Sequence, residues 1–309
     1  MSISHYIKDI GRGKDGARSL SREQATDLMG QVLDGTVTDL EVGAFCLAMR
    51  IKGETPDEMA GFLDATHARL QHLPNPHTTP TVVLPSYNGA RKLPVLTPLL
   101  ALLLAREGLP VLVHGCETES QRVSAQKVLL ALGTPALTAI KNMEPGEVAF
   151  APTDLLLPGL KRLLDVRRVV GLRNPAHSLV KLMVPVRGPA LLVSSYTHPE
   201  YLQSMTATLA LTHTTALLLR GTEGEPVADA RRTPAMDAFA AGEVTRVQET
   251  QAGSLAALPD LPGTDPDATA AHIRRVLAGQ APVPTPIAAQ VRHVLALAQR
   301  TQTPQGAPA

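Results

Sequence analysis

The stretch V82-VLPSYNGARKLPVLTPLLALLLAREGLPVLVHGCETE-S120 decides the fold. Its first four residues and "VLVHG" at 111–115 are short apolar runs rich in β-branched residues, each closed by a glycine-bearing turn. Such runs read as buried strands. Between them, Thr97-Pro98 opens a helix and Gly108 ends it. Proline tolerates the first helical turn because it has no N–H to leave unpaired. Strand, turn, helix, strand predicts a parallel pair joined by a crossover.

Downstream, "EVAFAP" (147–152), "ALLVSS" (190–195) and "ALLLRG" (216–221) are further strands, with helices expected at 153–165 and 199–211. Thr118 with Gln121 predicts a helix start, and Gly133 its end. Strands alternating with helices predict a mainly parallel sheet covered on both faces. Ligands of such sheets bind beyond the C-terminal strand ends. Those ends are Pro85–Arg91, His114–Glu119, Ser194–His198 and Arg220–Glu225. Residues 222–285, rich in Gly, Pro, Ala and Asp, predict loops with some β, and "AQVRHVLALAQR" a last helix. The tail 301–309 is expected to be disordered.

Upstream of the Pro-rich break "QHLPNPHTTP" the pattern is helical. Ser21 with Gln24, Thr38 with Glu41, and Thr55 with Glu58 have capping-box spacing. In that box each side chain satisfies a backbone donor of the first turn. Ala25, Leu28, Met29, Val32 and Leu33 then recur at helical spacing on one face. The expected organisation is a helical, dimer-forming unit at 1–72, completed by helices within 155–185, and an α/β domain at 78–300. Three short helices cannot bury all their apolar faces on one another, hence the expected dimer.

Composition limits the functions available. The chain has 309 residues, 44% hydrophobic and 18% charged, with formal net charge +1, so any basic surface is local. Its two cysteines, Cys46 and Cys116, make no disulfide or metal framework and fit a reducing cytoplasm. Cys46 falls on an apolar helix stripe and Cys116 in a turn expected to be exposed. Leu99–Ala105 is far shorter than the roughly 20 residues a membrane span needs. Aromatics are 3%, which argues against extensive base stacking.

"GAFCLAMRIKGETPDEMAGFLDA", "LLALLLAREGLPVLVHG" and "SAQKVLLALG" resemble the anthranilate phosphoribosyltransferases over roughly residues 1–230. "PSYNGARK", "VHG", "GLRNPAHSLVKL" and "HPEY" resemble more narrowly the YbiB-type branch of that family. The resemblance implies a class-II phosphoribosyltransferase (nucleoside phosphorylase-like) fold. It also implies a homodimer formed by the helical domain and binding of nucleic acid without sequence preference.

The same resemblance exposes departures from the enzymes. The Gly-Thr-Gly-Gly-Asp turn that cradles diphosphate is replaced by Ser86-Tyr87-Asn88-Gly89-Ala90-Arg91-Lys92. The His-Gly-Asn-Arg loop is replaced by His114-Gly115-Cys116-Glu117. The adjacent Asp-Glu pair that holds Mg²⁺ is replaced by "GTEGEPVADARR", leaving Glu223, Glu225 and Asp229 as weak metal candidates. The expectation is loss of the parent transfer, with no catalytic residue and no cofactor. Phosphoribosyl diphosphate and Mg²⁺ belong only to the alternative, a pentosyl transfer to a nucleobase-like or aromatic acceptor.

Positive charge remains. Lys161, Arg162, Arg167, Arg168, Arg173 and Lys181, with only Asp165 among them, give +5 in 21 residues. Arg91, Lys92, Arg122 and Lys127 are expected to join them at one cleft, with Asn88, Gly89 and His114 completing a phosphate grip. His177 and His198 are expected to be structural. A second cluster, Lys8, Arg12, Lys14, Arg18 and Arg22, reads as a solvated face. The expected partner is DNA or RNA, bound through its phosphates; no membrane is expected.

Overall fold

The computed structural model of the chain describes residues 2–13, 15–87, 89–253 and 260–302. Four helices open it: α1 (Ser4–Ile10), α2 (Arg22–Asp34), α3 (Asp39–Lys52) and α4 (Pro56–His67). The capping boxes at Ser21, Thr38 and Thr55 all form, each N-cap hydroxyl accepting from the backbone N–H three residues on. Helices α2 and α4 cross so closely that a Cβ on Gly61 would lie 2.3 Å from the Arg22 carbonyl oxygen.

The α/β part contains β1 (Leu73–Pro74), β2 (Thr81–Pro85), α5 (Thr97–Arg106), β3 (Val111–Gly115), α6 (Ala125–Ala131), β4 (Val148–Pro152), α7 (Thr153–Leu156), α8 (Pro158–Val170) and α9 (Ala176–Leu179). It continues with β5 (Val186–Arg187), β6 (Ala190–Tyr196), α10 (Pro199–Leu211), β7 (Ala216–Arg220), β8 (Met236–Ala240), β9 (Glu243–Gln248), α11 (Pro266–Leu277) and α12 (Thr285–Gln302). Seven strands form one sheet in the order β4-β3-β2-β6-β7-β8-β9. The first five are parallel, and β8 and β9 add an antiparallel edge. The short pair β1 and β5 lies apart.

Both sheet faces are buried, and the strands alternate between two cores. Val82, Leu84, Val111, Val113, Leu191, Val193, Leu217 and Leu219 face the core built with α5, α6, α11 and α12. Val83, Leu112, Leu192 and Leu218 face the other, which runs without a break into the helical unit through Phe45, Met49, Phe62 and Leu63. Helix α8 belongs to that second core. Gly159 sits where any Cβ would be 2.1 Å from the Leu33 carbonyl oxygen.

The chain winds from β2 through β3 to β4, then returns to the far side of β2 for β6 and β7. The sheet order therefore reverses between β2 and β6, and a crevice opens at their C-terminal ends.

Several boundaries differ from the sequence reading. The helix expected at 153–165 is two helices, because Leu157 is extended ahead of Pro158. The helix expected from Thr118 starts at Ala125, capped by Ser124, because Ala90 and Val123 pair as a β-bridge and hold the preceding segment extended. Helix α11, capped by Asp265 with Pro266 in its first turn, falls in a region read as loop. Thr301 and Gln302 still belong to α12; the rest of the expected tail, 303–309, lies outside the described residues. Among the described residues, no helix is long and apolar enough to cross a membrane.

Candidate functional site

The turn after β2 is closed by the chain's own acids. Glu225, 1% exposed, accepts hydrogen bonds from Ser86 Oγ, from the Gly89 N–H at 2.8 Å and from Thr97 Oγ1 at 2.9 Å. Glu223 accepts from three successive backbone N–H groups, Arg91 at 3.0 Å, Lys92 at 2.8 Å and Leu93 at 2.9 Å. Successive N–H groups converging on one point form an anion nest. Here the anion is Glu223. The loop delivers both carboxylates because Glu223 and Gly224 adopt left-handed φ of 53° and 92°. That conformation is uncommon for a glutamate.

Burial pushes the Glu225 carboxyl above its ordinary range, against the pull of its three donors and of Lys181. On this geometry Glu223 and Glu225 are corrected from metal candidates to structural acceptors. Asp229, the third, is held by Arg231 at 2.8 and 2.9 Å. No group of three metal-ligating side chains occurs among the described residues.

The basic residues do not all meet at one cleft. His114 is fully buried within β3, and both ring nitrogens lack a hydrogen-bond partner among the described residues. Burial holds its pKa down to about 3. It cannot touch a polymer at the surface, so its expected phosphate role is corrected. Lys181 is also interior, 8% exposed. Its ammonium donates to the Ser195 carbonyl at 2.7 Å, Ser195 Oγ at 3.2 Å and the Gly224 carbonyl at 3.1 Å. All three of its protons are engaged, and burial lowers its pKa to about 8. It joins β6 to the acidic loop, so its expected place in a surface phosphate grip is corrected.

Arg162 donates to the Leu33 carbonyl at 3.0 Å, and Lys161 pairs with Asp165 along α8. Both serve the junction with α2 and the surface of α8 itself.

The remaining cations surround the turn after β3. Glu119 lies 2.8 Å from Arg167, 3.3 Å from Arg122 and 3.8 Å from Arg173. Partial burial raises its pKa, but the Arg167 hydrogen bond and the three positive charges together hold it below the ordinary carboxylate range. Arg122 also donates to the Gly89 carbonyl at 3.0 Å and approaches Glu223 at 3.7 Å, tying this turn to the β2 turn. Lys127 pairs with Glu117 at 2.9 Å, and Arg168 donates to the Glu117 carbonyl at 3.1 Å.

Arg91, Lys92 and Arg168 are exposed, with Arg168 61% so. Gly89 is engaged through both backbone groups, and Asn88 lies outside the described residues. Cys116 is buried rather than exposed, its thiol pushed up to about 11 by that burial. Cys46 is core, as its stripe predicts. Of the N-terminal cluster, Arg12 pairs with Asp9 and Arg22 with Asp64; Lys14 lies outside the described residues.

Beside the closed turn is a cavity of about 310 Å³ at the β2–β6 reversal. Tyr87, His177, Tyr201, Arg173 and Arg50 line it, with Lys181 and Ser195 at its floor. Tyr87 and His177 pack edge to face at 6.0 Å. Burial lowers the His177 pKa to about 4. The sequence carries no local sign of this cavity, because its walls come from five separated segments. The i,i+3 spacing of Glu119 and Arg122 was the available signal that the acid is shared.

Comparisons with known proteins agree with this fold. Residues 4–69 match the glycosyl transferase family helical bundle domain. The chain is 40% identical over 299 residues to the Escherichia coli (strain K12) protein YbiB, covering 94% of this chain and 92% of that one. It is 29% identical to the anthranilate phosphoribosyltransferase of Methylocella silvestris, covering 88% and 79%. The anthranilate phosphoribosyltransferase (TrpD) structure from Thermus thermophilus superimposes with TM-score 0.70 at 21% identity, covering 96% of this chain and 94% of that one. Likeness along nearly the whole length, in sequence and in fold, places the chain in the family of YbiB, homologous to the anthranilate phosphoribosyltransferases and built on their fold.

Proposed function

We propose that this protein is a homodimer that binds DNA or RNA without sequence preference, through phosphates, and that it has lost the transferase reaction of its relatives. One observation carries the reading. The backbone nest that suits a diphosphate is occupied by Glu223, while the Arg91 and Lys92 side chains of the same turn face solvent. The inner cradle is closed and the outer rim is cationic. Arg168 and Lys127 extend that rim. Exposed ion pairs are weak, so a polyanion can compete for their cations. Clustered cations bind a polyanion by releasing its counterions, which reads charge rather than sequence.

The dimer reading rests on an uncovered apolar face. Leu40, Leu47 and Ile51 project from α3 and Val169 from the end of α8. A cytoplasmic address accords with two free cysteines that are both buried.

Anisotropy titration of a fluorescent mixed-sequence oligonucleotide against salt tests the binding. The log of affinity is expected to fall linearly with log salt, by roughly 0.7 per phosphate on single strands and roughly 0.9 on duplex. Unrelated sequences should give the same line. Arg91→Glu, Lys92→Glu and Arg168→Glu together should weaken binding at least about tenfold and flatten the slope by about one unit for each phosphate no longer neutralised. Unchanged affinity in that variant would overturn the site.

A second reading draws on the cavity beside Tyr87 and Arg173, which has room for a nucleobase-like or aromatic acceptor. It requires phosphoribosyl diphosphate with Mg²⁺, and the turn does not fit that pair: its donors are engaged by Glu223 and Glu225. Calorimetry with phosphoribosyl diphosphate and Mg²⁺ should give no heat of binding. Heat that depends on Glu223 would restore the transferase.

A further inference from the structure

A second pocket, of about 280 Å³, opens at the C-terminal ends of β6 and β7, with Tyr196 and Thr197 lining both it and the first cavity. Strand alternation builds it. Tyr196 and Arg220 are register partners on adjacent parallel strands, so their side chains leave the sheet on the same face. Pro199 and Leu202 of α10 form one wall, and Asp229, Arg232, Thr233 and Pro234 of the segment before β8 form the other.

Its charge is positive. The Arg220 side chain has no hydrogen-bond or ion-pair partner among the described residues and stands exposed at the strand end. Arg232 is 60% exposed and reaches Asp229 only at 3.6 Å. Asp229 is already gripped by both arms of Arg231. Two guanidinium groups line the pocket against one carboxylate, and that carboxylate is already paired with Arg231 from outside the lining, so the pocket is cationic. Guanidinium groups suit phosphate oxygens because their forked N–H groups match that geometry. Thr197, Thr233 and Thr250 add hydroxyls, and the Tyr196 ring with Pro199, Leu202 and Pro234 supplies apolar surface. The volume is at the lower end of small-molecule sites, that of a single nucleotide rather than a larger cofactor.

We propose that this pocket binds a phosphate ester of mononucleotide size, with the phosphate on Arg220 and Arg232 and the flat base against Tyr196. The ester comes either as a free nucleotide or as one residue of a bound strand; the strand source rests on the nucleic-acid reading above, and the free source does not.

The test uses the full chain, the Arg220→Ala/Arg232→Ala variant, and Tyr196→Leu. Adenosine monophosphate is titrated by calorimetry at low salt, and a fluorescent mixed-sequence single strand by anisotropy. For a free-nucleotide site, the double variant weakens monophosphate binding at least about tenfold and leaves the strand unaffected. Tyr196→Leu also weakens the monophosphate, and inorganic phosphate competes with it. For a strand site, the double variant weakens the strand about tenfold and lowers its salt slope by about one to two units. Equal binding of both probes by wild type and double variant overturns the proposal, as does no binding of either. Both substituted arginines are exposed, so folding is preserved, which a thermal unfolding curve verifies. Reversal of Arg91, Lys92 and Arg168 changes only the strand measurement, so failure of the rim and failure of this pocket are separable.

Discussion

At the scale of single residues, Glu225 organises the site. Removing it in Glu225→Ala leaves Ser86, Gly89 and Thr97 with buried donors and no acceptor. An orphaned buried donor costs about 1–3 kcal/mol. The variant should therefore lose several kcal/mol, a large share of a total that is typically about 5–15 kcal/mol. Glu225→Gln keeps one carbonyl acceptor and removes the charge whose burial is unfavourable, so it should unfold between the wild type and the alanine variant. Differential scanning calorimetry orders the three; alanine equal to wild type would remove Glu225 from this role.

The buried histidines set a pH limit. His114 and His177 are held at about 3 and about 4, below an ordinary 6.5, so the unfolded chain binds more protons through that interval. Their stability contribution is complete above pH 6.5 and is lost as pH falls toward the folded values. At about pH 4 each removes on the order of 3 kcal/mol. His114→Leu forfeits no side-chain hydrogen bond among the described residues and should flatten the acid limb by about one proton in urea titrations run across pH; an unchanged limb would mean His114 is not neutral and buried. None of this was legible locally, because Glu225 meets Gly89 across a separation of 136 residues.

Secondary-structure elements were legible where the signal is local. The three capping boxes lie three residues apart in sequence and form as spaced. The false start at Thr118 has the same spacing, and fails because the Ala90–Val123 bridge claims the segment first. Helix α11 carried its own signals, Asp265 as cap and Pro266 behind it, within a stretch whose overall composition reads as loop. Packing between elements was not legible. Gly61→Ala shows the difference. In an isolated helix the change should stabilise by about 1 kcal/mol. In this chain the added Cβ meets the Arg22 carbonyl oxygen at 2.3 Å and the Ala25 Cβ at 2.8 Å, so α2 and α4 must separate. Overpacking of this kind typically costs about 1–3 kcal/mol. The net effect should be destabilising, read as a lower urea midpoint; a raised midpoint would mean the crossing can relax.

At the scale of the whole molecule, one core passes from the sheet into the helical unit, so the helices before Leu73 are anchored by α8, α9 and α10 as well as by one another. What they leave uncovered is the outer stripe of α3. Leu40, Leu47 and Ile51 recur at i, i+7 and i+11, and are 84%, 46% and 56% exposed, while Phe45, Cys46 and Met49 on the opposite stripe are buried. Val169, 88% exposed at the end of α8, is another large apolar group in open solvent beside this unit. Apolar surface that a single chain cannot cover is what a two-fold interface uses, the same patch meeting itself. Leu47→Glu with Ile51→Glu puts like charges at the centre of such an interface without touching the core. Sedimentation equilibrium should then change from dimer to monomer, with the unfolding midpoint of the monomer unit retained. Loss of the dimer should also weaken binding to a long strand by more than binding to a short one, because only the long strand can occupy two rims at once and gain from their linkage. A variant that stays dimeric would move the interface elsewhere, and one that becomes monomeric with equal losses on both strands would mean that the two rims do not act together.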